Sequence, residues 1–278
     1  MEAAPFVYDA GRRFHGEQHA PYLLPNDVDE ADRMDTLHYM LRFMLSGNYA
    51  ASIDHPRRML DVGAGTGTWA LEMAAEYPQC EITGIDISNI QPQAVLPRNV
   101  QFEIMNVLHG MAYNDNRFDY VHMRFISSGI PATYWATLIE DLARVCAAGG
   151  VVEIIDTSAM LRNAGPLGQK VNEWFREAGV HRKVNMDMVW EIPALMQAAG
   201  LRLERVHYLE LPIGEWASKV GMLGWSNLRN LLVSLRHRLM RICNLVDEDM
   251  DRVLTGLHEE LIAHRSYWKV GIFIGRKP

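Results

Sequence analysis

Met59-Leu60-Asp61-Val62-Gly63-Ala64-Gly65-Thr66-Gly67 is the stretch on which the fold turns. An apolar strand with an acid near its end runs into three glycines at alternate positions, and residues 68–76 then read as a helix. The glycines let the backbone bend sharply and let a ligand lie directly against it. The following helix offers N–H groups that have no partner inside the helix. A second acid, Asp86, ends the next predicted strand, 81–85, about 20 residues beyond the loop, where nucleotide-binding α/β folds read a ribose diol. Both carboxylates therefore fall at the carboxyl edge of adjacent strands.

The pattern continues outward. Strands are predicted at 59–62, 81–85, 100–104, 118–123 and 151–155, with a helix at 134–146 and a turn at 147–150. Strands spaced by helices imply parallel βαβ units with right-handed crossovers. Further on, helices are expected at 165–179 and 187–199, a strand at 201–211, helical structure over 214–264 and a final strand at 267–275. Upstream, Asp27 and Glu30 read as a capping box. They open a helix to about Ser46, with Met34, Leu37, Leu41 and Leu45 on one face and Gly47 as its stop. Residues 1–55 then form an N-terminal strap or lid. Residues 56–278 form one catalytic unit with helical insertions near 160–200 and 214–264.

The loop chemistry discriminates between cofactors. A dinucleotide fingerprint would place glycine where Thr68 stands. An acid at the strand end repels a pyrophosphate but suits the ammonium group of S-adenosylmethionine. That cofactor is the expectation, with S-adenosylhomocysteine as its product. Asp61 would neutralise the amino group and Asp86 hold the ribose. Asn106, at the exit of the third strand, would accept from the adenine amino group through its side-chain oxygen. Gly63, Ala64, Gly65, Gly67, Thr68, Ile87 and Val107 complete the expected lining.

Bulk properties exclude other classes. The 278 residues are 49% hydrophobic and 22% charged, ordinary for a globular chain, and the net charge is −7. Nucleic acid and anionic membrane are disfavoured partners. Arg229, Arg236, Arg238 and Arg241 lie among leucines and read as a solvated helix face. Cys80, Cys146 and Cys243 are too scattered for a disulfide framework or zinc site, and read as reduced thiols; no metal is expected. The opening residues lack a secretory apolar core and no run is long enough to span a membrane, so a cytoplasmic location is expected. A small-molecule partner is expected, and a homo-oligomer is an open possibility.

Several stretches resemble the LaeA-like methyltransferases of fungal secondary metabolism. They are Gly11-Arg12-Arg13-Phe14-His15, Tyr22-Leu23-Leu24-Pro25-Asn26-Asp27, Leu60 through Gly67, Ile85-Asp86-Ile87-Ser88 with Ile90-Gln91-Pro92, Asn99-Val100-Gln101-Phe102-Glu103, and His122-Met123-Arg124-Phe125. The resemblance covers residues 8 to about 156. The Ile-Gln-Pro and Leu-Pro-Asn-Asp segments are the more specific; the glycine loop belongs to the whole superfamily. The resemblance implies a Rossmann-like α/β fold: a seven-stranded, mostly parallel sheet with helices on both faces and an N-terminal segment folded over the cofactor. It also implies that Tyr22 and Arg124 lie near the cofactor's methionine end. The chain departs from the group at Met105 and Asn106, where acids are usual, which puts the polar contacts to adenine in doubt.

Methyl transfer needs alignment more than acid–base chemistry, and a base only where a proton must leave the acceptor. Candidates are Tyr22, His122, Asp156 and His181, with His15 and His19 nearby; each also reads as a packing, cofactor or surface residue. After the fourth strand there is no Asn/Asp-Pro-Pro-aromatic motif of amide- or adenine-N-methylation, and no cysteine following a proline as in cytosine C5 chemistry. No Asp/Asn pair follows the fifth strand to hold a catechol-orienting magnesium. Trp174, Phe175, Trp190, Tyr208, Trp216 and Trp225 read mainly as packing, some lining an apolar acceptor pocket. Three functions stay open. One is methylation of a natural product (aromatic, terpenoid or polyketide-like). The second is a regulatory cofactor-binding protein, which would expose an apolar helix face around 228–242. The third is cofactor-dependent cyclisation.

Overall fold

In the computed structural model, which describes residues 5–17 and 20–278, the chain opens with a short hairpin of β1 (Val7–Asp9) and β2 (Arg12–Phe14). The sequence predicts no strand in this part of the strap. Arg12 grips Asp27 with two guanidinium nitrogens, at 2.5 and 2.7 Å, and reaches Ser234 Oγ at 3.1 Å. α1 (Val28–Leu45) follows, and the Asp27 side chain accepts from the Glu30 N–H as expected. The other half of the capping box does not form. Glu30 is fully buried and holds Arg33 through both oxygens, because a carboxylate sealed from water requires a paired cation. Arg33 also donates to Asn227 Oδ1, and Asn227 donates back to the Arg33 carbonyl, so α1 is tied to a helix far along the chain. Ser46 rather than Gly47 takes the left-handed turn that ends α1, with φ 57°.

The central elements fall close to expectation: β3 (Arg58–Val62), α2 (Thr68–Glu76), β4 (Glu81–Asp86), β5 (Val100–Ile104), β6 (Phe118–Arg124) and α3 (Trp135–Val145). β7 (Cys146–Arg162) is much longer than the expected 151–155 and absorbs the predicted turn as an irregular segment, with Gly149 at φ 76°. Then come α4 (Pro166–His181), α5 (Ile192–Ala198), β8 (Arg202–Pro212), α6 (Ser218–Ile242), α7 (Asp247–Ala263) and β9 (Tyr267–Arg276). The helix expected at 187–199 splits into a 3-10 turn, Met186–Glu191, and α5, with Pro193 in the first turn of α5. Proline has no N–H to carry an α-helical ladder through that point.

The seven-stranded sheet has the order β5-β4-β3-β6-β7-β9-β8, and β9 alone runs antiparallel to its neighbours. Central strands are buried on both faces, which is why they read as unbroken apolar runs. Leu60, Val62, Val121 and Met123 pack toward α3 and α5. Met59, Tyr120 and Ile155 share the opposite core with α1, α2, α4, α6 and α7. Strand order reverses between β3 and β6, the position at which open α/β sheets bind ligands.

The α6 leucines that repeat at helical spacing, Leu228, Leu231, Leu232, Leu235 and Leu239, all turn into this core. Of the four arginines read as a solvated face, Arg229 is exposed, while the other three are engaged. Arg236 pairs with Asp247 and Asp251, and Arg241 with Asp9. Arg238 lies 3.4 Å from the centre of the Phe14 ring and donates to the Leu23 carbonyl. The hairpin and the chain after it are thus pinned to α6. No helix among the described residues is long and apolar enough to cross a membrane.

Candidate functional site

The loop after β3 lies at the reversal point. Gly63 and Ala64 both donate to the Ile85 carbonyl, and the Gly65 N–H donates to Asp86 Oδ2 at 2.8 Å. Gly65 stands at φ 56°, a left-handed conformation that costs a side-chain-bearing residue energy, and it faces a cavity. Gly67 has a different task. A Cβ there would sit 2.5 Å from the Phe102 ring, so its smallness serves packing, and it does not line the cavity. Thr68 is also outside the lining; its hydroxyl donates to Asp35, as does that of Thr66.

Asp86 is a cavity wall residue. Its oxygens accept from Gly65 N–H and Ser88 N–H, both at 2.8 Å, leaving lone pairs for a ligand hydroxyl. Burial pushes its carboxyl up to about 6, against the downward pull of those two donors. Ile87, Val107, Gly63 and Ala64 line the same space, as expected. So does Asn106, with its polar roles reversed. Asn106 Oδ1 accepts from the Leu108 N–H at 3.0 Å, and Nδ2 is the buried atom without a partner. The site presents a donor here, suited to a ring nitrogen of adenine, where an acceptor for its amino group was expected.

Arg124, at the end of β6, lines the opposite end of the cavity. Its Nη2 donates to His38 Nδ1 at 2.7 Å, and His38 Nε2 donates to Glu72 at 3.2 Å. Burial, then the Arg124 charge, holds the imidazole down at about 3, so it is neutral. No carboxylate lies within ion-pair distance of the guanidinium among the described residues, although Asp61 and Glu72 lie near enough to act on its charge. Tyr22 lies nearby, its ring 3.4 Å from where a Cβ on Gly129 would stand.

Asp61 departs from expectation in detail. It is buried behind the loop, outside the cavity lining, with Oδ1 accepting from His122 Nδ1 at 2.8 Å. Its Oδ2 has no partner among the described residues and remains the atom closest in chemistry to an ammonium acceptor. His122 lies flat against Trp69, with ring centres 3.9 Å apart, and is fully buried. Burial lowers its basicity.

A second, mainly apolar cavity adjoins the first, and the two share Leu24, Arg33, Leu37 and Phe125. Its walls include Leu23, Phe175, Leu231, Leu235 and Trp268. Of the aromatic residues weighed from sequence, Phe175 alone lines it; Trp268 was missed. Asp156 lies in this wall, yet both of its oxygens are occupied. Oδ2 accepts from the Ile126 and Ser127 N–H groups, and Oδ1 from Ser127 Oγ and the Thr157 N–H. Burial raises it to about 6. His181 is exposed at the end of α4 and lines neither cavity. His15 Nε2 donates to the Tyr22 carbonyl at 3.1 Å, and His19 lies outside the described residues.

Sequence reasoning missed His38. Its partner Arg124 is 86 positions away, so no local spacing marks the pair. Met34 and Leu37 were read only as an inward helix face; that face is the cavity wall. No cluster of potential metal ligands occurs among the described residues.

A family model described as "Methyltransferase domain" matches residues 36–206. The secondary metabolism regulator laeA of Coprinopsis cinerea is 36% identical over 152 residues, 52% of this chain and 37% of that protein. Methyltransferase pytC of Aspergillus terreus is 29% identical over 223 residues, 76% of this chain and 67% of that one. Methyltransferase str3 of Strobilurus tenacellus is 31% identical over 138 residues, covering 49% of this chain and 48% of that one. The match thus spans about half or less of two of these three relatives. Among solved structures, Haemonchus contortus phosphoethanolamine N-methyltransferase 2 in complex with S-adenosyl-L-methionine superposes with a TM-score of 0.51 and 19% identity, over 88% of this chain and 52% of that one. A geranyl diphosphate methyltransferase in complex with SAM gives 0.53 and 12%, over 91% and 92%. At these identities the likeness is one of fold.

Proposed function

This chain belongs to the methyltransferase domain family, in the LaeA-like group of class I S-adenosylmethionine-dependent enzymes, and from that premise we propose that it methylates a small, largely apolar natural-product acceptor. The observation that carries the reading is the pair of joined cavities: one polar at both ends, the other apolar, meeting at Phe125.

The residues of the first cavity fit the cofactor. Arg124 offers the methionine carboxylate a guanidinium without a direct ion pair among the described residues. Asp86 has lone pairs free for the ribose diol. Asn106 Nδ2 is an orphaned buried donor, and a buried donor left unpaired is costly until a ligand meets it. Once bound, S-adenosylmethionine supplies an electrophilic methyl group. The chain's own contribution is alignment and exclusion of water. The segment from Ala20 to Asn26 covers the first cavity, and α4 and α6 wall the second. In this reading residues 1–55 act as a lid and the helices at 160–200 and 214–264 as a cap.

The candidate bases support positioning over proton abstraction. His122 is sealed against Asp61, His181 faces solvent, Asp156 has both oxygens engaged, and burial raises Tyr22, which keeps its phenol protonated. An acceptor whose attacking atom needs no enzyme base fits best. The regulatory alternative has less support, since the apolar face of α6 that it would expose is buried.

Titration calorimetry with S-adenosylmethionine, followed by product mass from apolar acceptor panels, tests the reading. Heat of binding and a gain of one methyl group are expected. No heat at millimolar cofactor, with binding of a nicotinamide dinucleotide instead, overturns it.

A further inference from the structure

Two guanidinium groups line the second cavity, and they are in opposite states. Arg33 is neutralised by Glu30 and bonded to Asn227. Arg182, just past the end of α4, has no acid. Its Nε donates to the Pro21 carbonyl at 3.0 Å and its Nη2 to the Ala20 carbonyl at 3.1 Å. Those are its hydrogen bonds among the described residues, and no carboxylate lies within ion-pair distance of it there. A guanidinium carries five N–H donors. With two spent along one edge, the outer edge, with one N–H from each terminal nitrogen, stays free.

The surroundings make this more than an anchoring residue. Arg182 is half-buried in a wall of apolar side chains, including Phe175, Ala178 and Leu235. Anchoring the backbone of residues 20 and 21 needs donors but no charge. An uncompensated charge in such a wall is a cost, which a ligand anion would cancel. Arg238 lies close enough to add to the positive field, though Asp9 and the Phe14 ring already engage it. One free planar edge and one unbalanced charge match a single carboxylate. A diphosphate would ask for more cations than the cavity wall holds.

We propose that the acceptor is an apolar molecule bearing a carboxylate, which Arg182 binds while the apolar body fills the cavity toward Phe125. This inference rests on the reading of the second cavity as the acceptor site. It makes Arg182 a specificity-determining residue. Because the same side chain holds the Ala20 and Pro21 carbonyls, acceptor binding also firms the lid over the cofactor.

The test uses the full chain saturated with S-adenosylhomocysteine, and decanoate against decan-1-ol as probes, titrated by calorimetry. Decanoate is expected to bind about tenfold more tightly than the alcohol, as a charge-assisted hydrogen-bonded pair does over a neutral one. In Arg182→Met the ratio falls to about one, and Arg182→Lys, which keeps the charge but loses the fork, falls between. The ratio is the readout, because loosening of the lid weakens both probes alike. Equal affinity for the two probes in the unmodified protein, binding of neither, or a preference that survives Arg182→Met overturns the inference. Failure of the unmodified protein to bind S-adenosylhomocysteine at all is a separate result, and overturns the methyltransferase reading itself.

Discussion

His122 Nδ1 donates to Asp61 Oδ1 at 2.8 Å, across adjacent strands β6 and β3, with both side chains shut away from solvent. The pair makes the histidine the holder of the loop acid, so its use is positional. His122→Leu leaves that oxygen unpaired and is expected to cost about 1–3 kcal/mol of folding stability. Urea unfolding measures it. An unchanged midpoint and slope would show that the bond contributes nothing.

Asp86 gives the cofactor site a pH dependence whose sign can be worked out. Its carboxyl lies near 6 in the folded chain, and the ionised form is the better acceptor for a ribose hydroxyl. Affinity for S-adenosylhomocysteine is expected to climb as pH rises through about 6 and then level off, with proton release on binding in the same range. On stability the sign is opposite. The raised acid binds its proton more tightly when folded, so this group's contribution falls as pH rises from about 4 to 6. Asp86→Ala is expected to weaken binding by roughly 1–3 kcal/mol, and Asp86→Asn to flatten the pH profile. Calorimetry in buffers of different ionisation enthalpy reads both effects; a flat profile in the unmodified protein removes Asp86 from the ribose role.

Arg124 should act on one end of the cofactor alone. Arg124→Met is expected to weaken S-adenosylhomocysteine by about 1.5–3 kcal/mol, the worth of a charged hydrogen bond. Binding of 5′-methylthioadenosine, which lacks the amino-acid group, should stay nearly unchanged. Equal losses for the two ligands would place the arginine's effect in the fold of the cavity and not in carboxylate recognition.

Asn106 separates two roles within one side chain. Asn106→Asp keeps an oxygen to accept from the Leu108 N–H but loses the free donor. Asn106→Ala loses both, and the lost cap is worth about 1 kcal/mol of stability. If adenine uses Nδ2, the two variants should weaken S-adenosylhomocysteine by similar factors while differing in thermal stability. Full affinity in Asn106→Asp would return the contact to the oxygen, as the sequence suggested.

Much of this architecture is legible in one dimension because it rests on short-range patterns. β5 and α2 fall where the apolar runs and the glycine loop put them, and Asp86 is found in the cavity because strand ends are set by the same periodicity. Misreadings came where distant packing outweighs the local signal. Glu30 leaves its cap for Arg33, three residues on, once packing against Asn227 of α6 buries the pair. β7 runs on past residue 155 because β9, over a hundred residues later, continues to pair with it.

What the amino-acid order determined was the sheet, the glycine loop and the acids beside it, since alternation, helix period and backbone permissiveness are properties of neighbouring residues. Tertiary structure alone decided which polar atoms remain free. It engaged Asp156 on both oxygens, enclosed His122, turned Asn106 so that its amide nitrogen is left over, and left Arg124 and Arg182 without a direct ion pair among the described residues. Hydrogen-bond satisfaction depends on who arrives within 3 Å or so, and in a folded chain those arrivals come from elements that the sequence keeps far apart.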